Sequence, residues 1–319
     1  MKQSLWAIAA AACFSIMAAF VKLASGSHGT LELLFYRSLF GVLAISGFVW
    51  SNRSTLTLKT KHIGGHLKRS LLGTLSIVLW FYTLGRMHFG LNMTLTYTTP
   101  LFMAASFLLA AFLAHKKAPW LMTASIAVGF AGVCLVLQPS FEADELVPAL
   151  VCLSVSLIDL FVYRQMKELG RLKEPSWRIV FYFTVFGTLT GLIGAFAVEG
   201  GLHMPDLRGA AGILGMGLFA TLGQICSTRS YAYGNMLLSS CLGFSAIPIS
   251  AAIGWICFSE GVTPVGLAGM ALILAAGLAA TVTTKKAEAQ EKLEKSAPQR
   301  LSPLVVQVPA LALRQREGL

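Results

Sequence analysis

Charge is what this chain has little of. Only 12% of its 319 residues are Asp, Glu, Lys or Arg, against roughly 25% in an ordinary soluble domain. A charged, water-facing surface is therefore excluded. Catalytic signatures are missing too. There is no His-Glu-x-x-His, no phosphate-cradling Gly-x-x-x-x-Gly-Lys loop and no Gly-x-Ser-x-Gly, so zinc hydrolysis, ATP drive and serine-hydrolase chemistry have no foothold, and no enzyme activity or cofactor is expected. The six cysteines (Cys13, Cys134, Cys152, Cys226, Cys241, Cys257) contain no Cys-x-x-Cys pair and fall in apolar segments, as small buried hydrophobes do. His62 and His66 have a chelating spacing. With Lys59, Lys61 and Lys68 around them, they read as part of a solvated basic loop, and no metal site is expected.

What is present is hydrocarbon. Hydrophobic residues make up 55% of the chain and the mean hydropathy is +0.70. Ten apolar segments near 4–24, 31–50, 70–87, 91–114, 119–138, 147–165, 177–198, 209–229, 236–258 and 262–283 are each long enough to cross the roughly 30 Å core of a bilayer. The apolar run before Cys13 is too short for a cleaved signal and continues through Val21, so it reads as the first span. The expected fold is an all-α polytopic membrane protein of ten transmembrane helices.

The net charge of +11 is a topology signal. Of the 25 Lys and Arg residues, 21 fall on one side of this arrangement, whereas Lys22, Arg86 and Arg208 share the other with Glu142, Asp144 and Glu145. The positive-inside rule then places both termini in the cytoplasm of a cell whose inner membrane holds the protein, and nucleic acid is not an expected partner.

Two blocks of the chain match. Tyr82-x-x-Gly85-x-Met87 returns as Tyr231-x-x-Gly234-x-Met236, and each is followed by an apolar segment containing a proline, Pro100 or Pro248. Pro119 and Gly132 then match Pro264 and Gly277. Four landmarks in order indicate a duplicated unit. With five helices per unit, the second enters the membrane from the opposite side, giving two inverted repeats around a midplane site. The expected units are residues 1–138, a periplasmic linker at 139–146, residues 147–284, and a cytoplasmic, largely disordered tail at 285–319, of which 285–295 could extend the last helix.

Ionisable and aromatic residues inside spans are the candidates for function, because charge in hydrocarbon is costly. Asp159, deep in the sixth span, suits a proton carrier or the counter-ion of a cationic substrate. Its structural alternative is a pair with Arg164 or Arg229. Arg37, inside the second span, suits bidentate binding of a carboxylate or phosphate, or a structural pair with Glu32. Gln224 and Arg229 end the eighth span. Tyr82, Tyr97 and Tyr231 suit the walls of a cavity for a cation. Pro100 and Pro248 each remove a helical hydrogen bond mid-span and suit paired hinges. Gly129, Gly132, Gly266 and Gly269 suit close helix approach and a homodimer contact.

The order and spacing of Phe14, Ser15, Met17 and Lys22, of Leu33-Leu34-Phe35-Tyr36-Arg37-Ser38, of Tyr97-Thr98-Thr99-Pro100 and of Phe258-Ser259-Glu260 with Pro264 resemble the drug/metabolite transporter superfamily, EamA type, over about residues 4–284. The resemblance implies a bacterial inner-membrane secondary transporter, an exporter or exchanger of a small organic metabolite, with a coupling proton or ion. The chain departs from the pattern at Ala114-His115-Lys116-Lys117, where such proteins often carry a glutamate matching Glu260. The Phe-Tyr-Arg stretch is similar to S-adenosylmethionine carriers, so an uptake carrier for such a metabolite is the alternative, followed by a channel or scaffold.

Overall fold

Backbone in hydrocarbon has to satisfy its own N–H and C=O groups, and an α-helix does so within one segment. In the computed structural model, which describes residues 2–52, 56–113, 120–137, 146–205, 207–261 and 263–296, every regular element among the described residues is a helix. They are α1 (Trp6–Ala24), α2 (Thr30–Ser51), α3 (Ile63–Leu84), α4 (Phe89–Thr96), α5 (Thr99–Leu113), α6 (Trp120–Leu137), α7 (Leu146–Arg171), α8 (Ser176–Val198), α9 (Leu207–Tyr233), α10 (Met236–Gly243), α11 (Ala246–Phe258) and α12 (Pro264–Ser296). Six stretches are long and apolar enough to cross a membrane: α1, α2, α7, α8, most of α9, and Leu238–Phe258. Residues 114–117 and most of the 139–146 linker lie outside the described residues.

Two differences from the expected spans bear on function. First, α3 begins at Ile63, seven residues before the expected start, so His66, Lys68 and Arg69 belong to the helix and not to a basic loop. Second, the segments expected as the fourth and ninth spans are each broken in two, at Tyr97-Thr98 and at Phe244-Ser245. The last helix, α12, runs to Ser296 and includes residues 285–295.

The breaks change the reading of the prolines. Pro100 is the second residue of α5 and Pro248 the third of α11. A first-turn residue has no intrahelical partner for its N–H, so proline costs nothing there. Both prolines begin a helix after the break and remove no bond from the middle of one.

Polarity is arranged as a membrane solvent demands. Leu43, Phe48, Trp50, Leu75, Ile193, Phe196, Trp255 and Ile256 point outward, while Glu32, Arg37, Arg69 and Asn92 are buried. The closest helix pairs are α6 with α12, α1 with α9, α2 with α8, and α3 with α7. Small residues make the first of these possible: a Cβ on Gly132 would lie 3.0 Å from the carbonyl oxygen of Gly269. The cysteines differ in part from expectation, since Cys134 and Cys257 are exposed, though all six are free thiols.

Candidate functional site

Two helices present stripes to the interior at helical spacing, each carrying charged and hydroxyl groups among apolar ones. Arg69, Gly73, Ser76 and Trp80 run along α3, and Val155, Asp159, Val162, Tyr163 and Met166 along α7. Between them lies a cavity of about 70 Å³, lined also by Phe14 of α1, Thr96 and Tyr97 at the first break, Phe183 of α8, and Gln224 and Ser227 of α9. That space suits a few waters; a metabolite needs it to widen.

Asp159 is half-buried in this wall, and its Oδ1 accepts a 2.6 Å hydrogen bond from the Ser76 hydroxyl. It pairs with neither expected arginine. Arg164 donates to the Ser106 hydroxyl, and Arg229 sits at the surface, donating to Gln3 Oε1 at 2.9 Å and covering the Trp6 ring. Arg229 is exposed and lies outside the cavity, whereas Gln224 lines it. The Gln224 Oε1 accepts from Arg69 Nη2 at 3.2 Å.

Arg69, brought into the helix by the early start of α3, is 1% exposed and lies 4.3 Å from the Phe183 ring centroid. Arg37 is buried beside the same ring, at 5.5 Å. Its expected partner is otherwise engaged: Glu32 accepts from the His203 backbone N–H at 2.6 Å and contacts its ring at 3.1 Å.

The tyrosines separate. Tyr97 lines the cavity. Tyr231 stands behind it, stacked on cavity-lining Tyr163 with ring centroids 3.8 Å apart and planes 5° from parallel. Tyr82 points elsewhere and lies under the Arg86 guanidinium at 4.0 Å, so it is corrected as a cavity residue. Ser76, Arg69 and Tyr163 carried a legible signal, since each falls on the interior stripe of its helix.

Each end of the bundle carries a charged cluster that joins several helices. At the C-terminal end of α1, Lys22 pairs with Glu260 at 2.6 Å and donates to the Met87 carbonyl at 2.8 Å, while Glu260 Oε2 accepts from the Phe89 N–H that opens α4. Nearby, the Glu199 carboxylate accepts from the N–H groups of Leu31 and Glu32 and caps α2. At the other end, Glu174 between α7 and α8 accepts from Thr60 and from Arg178 at 2.9 Å, and its carbonyl accepts from the Tyr233 hydroxyl. Burial pushes the Glu174 carboxyl up, but the Thr60 and Arg178 hydrogen bonds outweigh it and hold the group below its ordinary range.

Residues 1–138 match the EamA-like transporter family. That stretch belongs to the EamA-like transporters. The pseudopaline exporter CntI of Pseudomonas aeruginosa is 25% identical over 284 residues, covering 88% of this chain and 96% of the exporter. A riboflavin transporter of Brucella anthropi is 26% identical over 229 residues, covering 70% of this chain and 78% of its own. One solved crystal structure shares the fold, with a TM-score of 0.65 at 15% identity over 88% of this chain and 97% of the other. With six stretches long and apolar enough to cross a membrane, the chain is a multi-pass membrane protein similar to these transporters.

Proposed function

We propose that the protein is a secondary active transporter that exports or exchanges a small organic metabolite through the α3–α7 cavity by alternating access. The observation that carries this is a small cavity between helices with Arg69 and Asp159 in a largely apolar wall, in a bundle whose two ends are joined by separate charged clusters. Opening one cluster at a time admits solute from one side and then from the other. Asp159 carries the charge coupling, as a proton acceptor or as counter-ion to a cationic group, and Arg37 and Gln224 support the substrate's polar groups.

We read the scaffold as ten membrane spans in two inverted five-helix repeats, residues 1–138 and 147–284, joined by 139–146, with both termini cytoplasmic. Several features support this. Exchanging α1, α2 and α3 for α7, α8 and α9 leaves the main helix pairing unchanged: α1–α9 becomes α7–α3, and α2–α8 becomes itself. The fourth and ninth spans are broken alike. The repeated glycines lie at opposite ends of α1, Gly85 against Ser25 and Gly234 against Ser4.

A thermal-shift screen of the purified protein against amino acids, nucleosides, S-adenosylmethionine and quaternary amines selects a ligand, since a bound ligand raises stability with its concentration over Kd. Counterflow in proteoliposomes then decides the mechanism. Trapped unlabelled ligand accelerates uptake of label through a carrier; equal uptake with and without it sinks the reading in favour of a channel.

A further inference from the structure

The buried charges around the cavity do not balance. Arg69 and Arg37 are 1% and 2% exposed, and each holds its guanidinium near the ring of Phe183. Among the described residues neither lies within ion-pair distance of a carboxylate. Their Nε and Nη1 atoms, four nitrogens in all, have no hydrogen-bond acceptor. Only Arg69 Nη2 is used, on Gln224 Oε1. Against these two cations stands one carboxylate in the same cavity wall, Asp159, bonded to Ser76.

Such an arrangement is expensive unless something else completes it. A buried guanidinium without a counter-ion loses its hydration, and contact with one aromatic ring recovers only part of that loss. Apolar residues of similar volume would fill these positions at lower cost. Arginine offers what they lack: a planar fork of N–H donors matched to the two oxygens of a carboxylate or phosphate. Arg69 lines the cavity and keeps donors free there.

We propose that the cavity binds the anionic group of its solute, a carboxylate or a phosphate, on Arg69, with Arg37 at the same Phe183 ring adding its charge. This rests on the cavity being the transport site. It narrows the substrate class to solutes bearing such a group and leaves Asp159 for a cationic group or a proton.

The test uses the full chain purified in detergent, with thermal unfolding followed in sodium glutamate, sodium succinate and sodium phosphate. Glutamine and choline chloride at matched ionic strength are the controls. Glutamate or succinate alone raising the unfolding temperature saturably identifies a carboxylate site; phosphate alone identifies a phosphate site. Arg69→Gln is expected to weaken the apparent Kd roughly tenfold to a hundredfold, Arg37→Gln to weaken it less, and Arg229→Gln at the surface to leave it unchanged. Arg69→Met tests for misfolding: without ligand it unfolds no earlier than the wild type, because an unpaired buried charge has gone, yet it loses the anion response.

The inference is overturned if no anion stabilises the protein beyond the neutral control, or if the response survives in Arg69→Gln. Proteoliposomes separate it from the transport reading. An anion that binds through Arg69 but shows no counterflow leaves the anion site standing and removes the transporter. Counterflow of a neutral or cationic solute at the wild-type rate by Arg69→Gln does the reverse.

Discussion

Lys22 on α1 and Glu260, just past the end of α11, form an ion pair at 2.6 Å across 238 residues of chain. The carboxylate also receives the first N–H of α4, from Phe89. One side chain therefore joins the first helix to both of the broken spans, at one end of the bundle.

Glu260→Gln is expected to lower the stability of the detergent-solubilised protein by about 1–3 kcal/mol, the usual cost of leaving a largely buried charge without its partner. Both side chains are mostly shielded, at 21% and 15% exposure, so solvent screening removes only part of this. Adding Lys22→Met to Glu260→Gln should recover some of the loss, because the orphaned ammonium is gone. Thermal unfolding of the two variants checks it, and a single variant as stable as wild type refutes the latch.

The opposite end carries a pH-dependent tie. Glu174 is held below its ordinary carboxylate range by Thr60 and Arg178 against the opposing effect of burial. A depressed pKa stabilises the folded state above the unfolded-state value and loses that contribution as pH falls through the folded-state value. Stability should therefore decline with acidification below about pH 4.3, the ordinary carboxylate value. Unfolding temperature against pH measures the decline, and Glu174→Gln should start lower at neutral pH and flatten the curve. Parallel curves for the two proteins would rule Glu174 out as the titrating group.

Asp159→Asn keeps the size of the side chain and a hydrogen-bond acceptor for Ser76 while removing its charge. The folded protein should survive, and counterflow should fall roughly tenfold to a hundredfold, the equivalent of one charged hydrogen bond lost from the working site. Size-exclusion behaviour and initial uptake rates, measured together, separate the two effects. Full transport by Asp159→Asn removes the residue from the mechanism.

The membrane class and the all-helical character were readable from composition and length, because backbone in hydrocarbon satisfies itself within long apolar helices. What misled was charge. Taking Arg69 as the end of a loop follows the habit that spans exclude arginine. Tertiary burial against Phe183 overrides that habit, and the stripe Arg69, Gly73, Ser76, Trp80 was the available clue. The prolines marked the broken segments but not the break points, which lie two to four residues earlier where hydroxyl groups take over the exposed carbonyls. Which arginine had a carboxylate could not be read at all, since Glu32 finds His203 from the far half of the chain.

Close helix approach supplies a sharper test of packing. A Cβ at Gly132 would meet the Gly269 carbonyl at 3.0 Å and the Ile273 backbone N at 3.1 Å, backbone atoms that do not swing aside. Gly132→Ala should cost about 1–3 kcal/mol by overpacking the α6–α12 contact. Gly212→Ala, where nothing lies within 4 Å, should be neutral or slightly stabilising in its helix. Equal unfolding temperatures for the two variants would contradict the contact.

The break between α4 and α5 depends on a residue from another helix. Where the helical ladder stops, the Leu95 carbonyl accepts from Thr98 N–H at 3.1 Å and Oγ1 at 2.7 Å. The Thr96 carbonyl has only a long 3.4 Å contact from the Thr99 hydroxyl within its own segment. Ser156 of α7 reaches both carbonyls at 2.8 Å. In a dry interior an unmet carbonyl is costly, and α7 also carries Asp159, so this hydroxyl couples the break to the cavity wall. Ser156→Ala should destabilise the protein by about 1–2 kcal/mol and speed hydrogen exchange at Tyr97 and Thr98 relative to Phe244 and Ser245 at the second break. Ser156→Thr keeps the hydroxyl and should restore much of the protection. Uniform exchange at both breaks in Ser156→Ala would mean that the first span stays broken without help from α7.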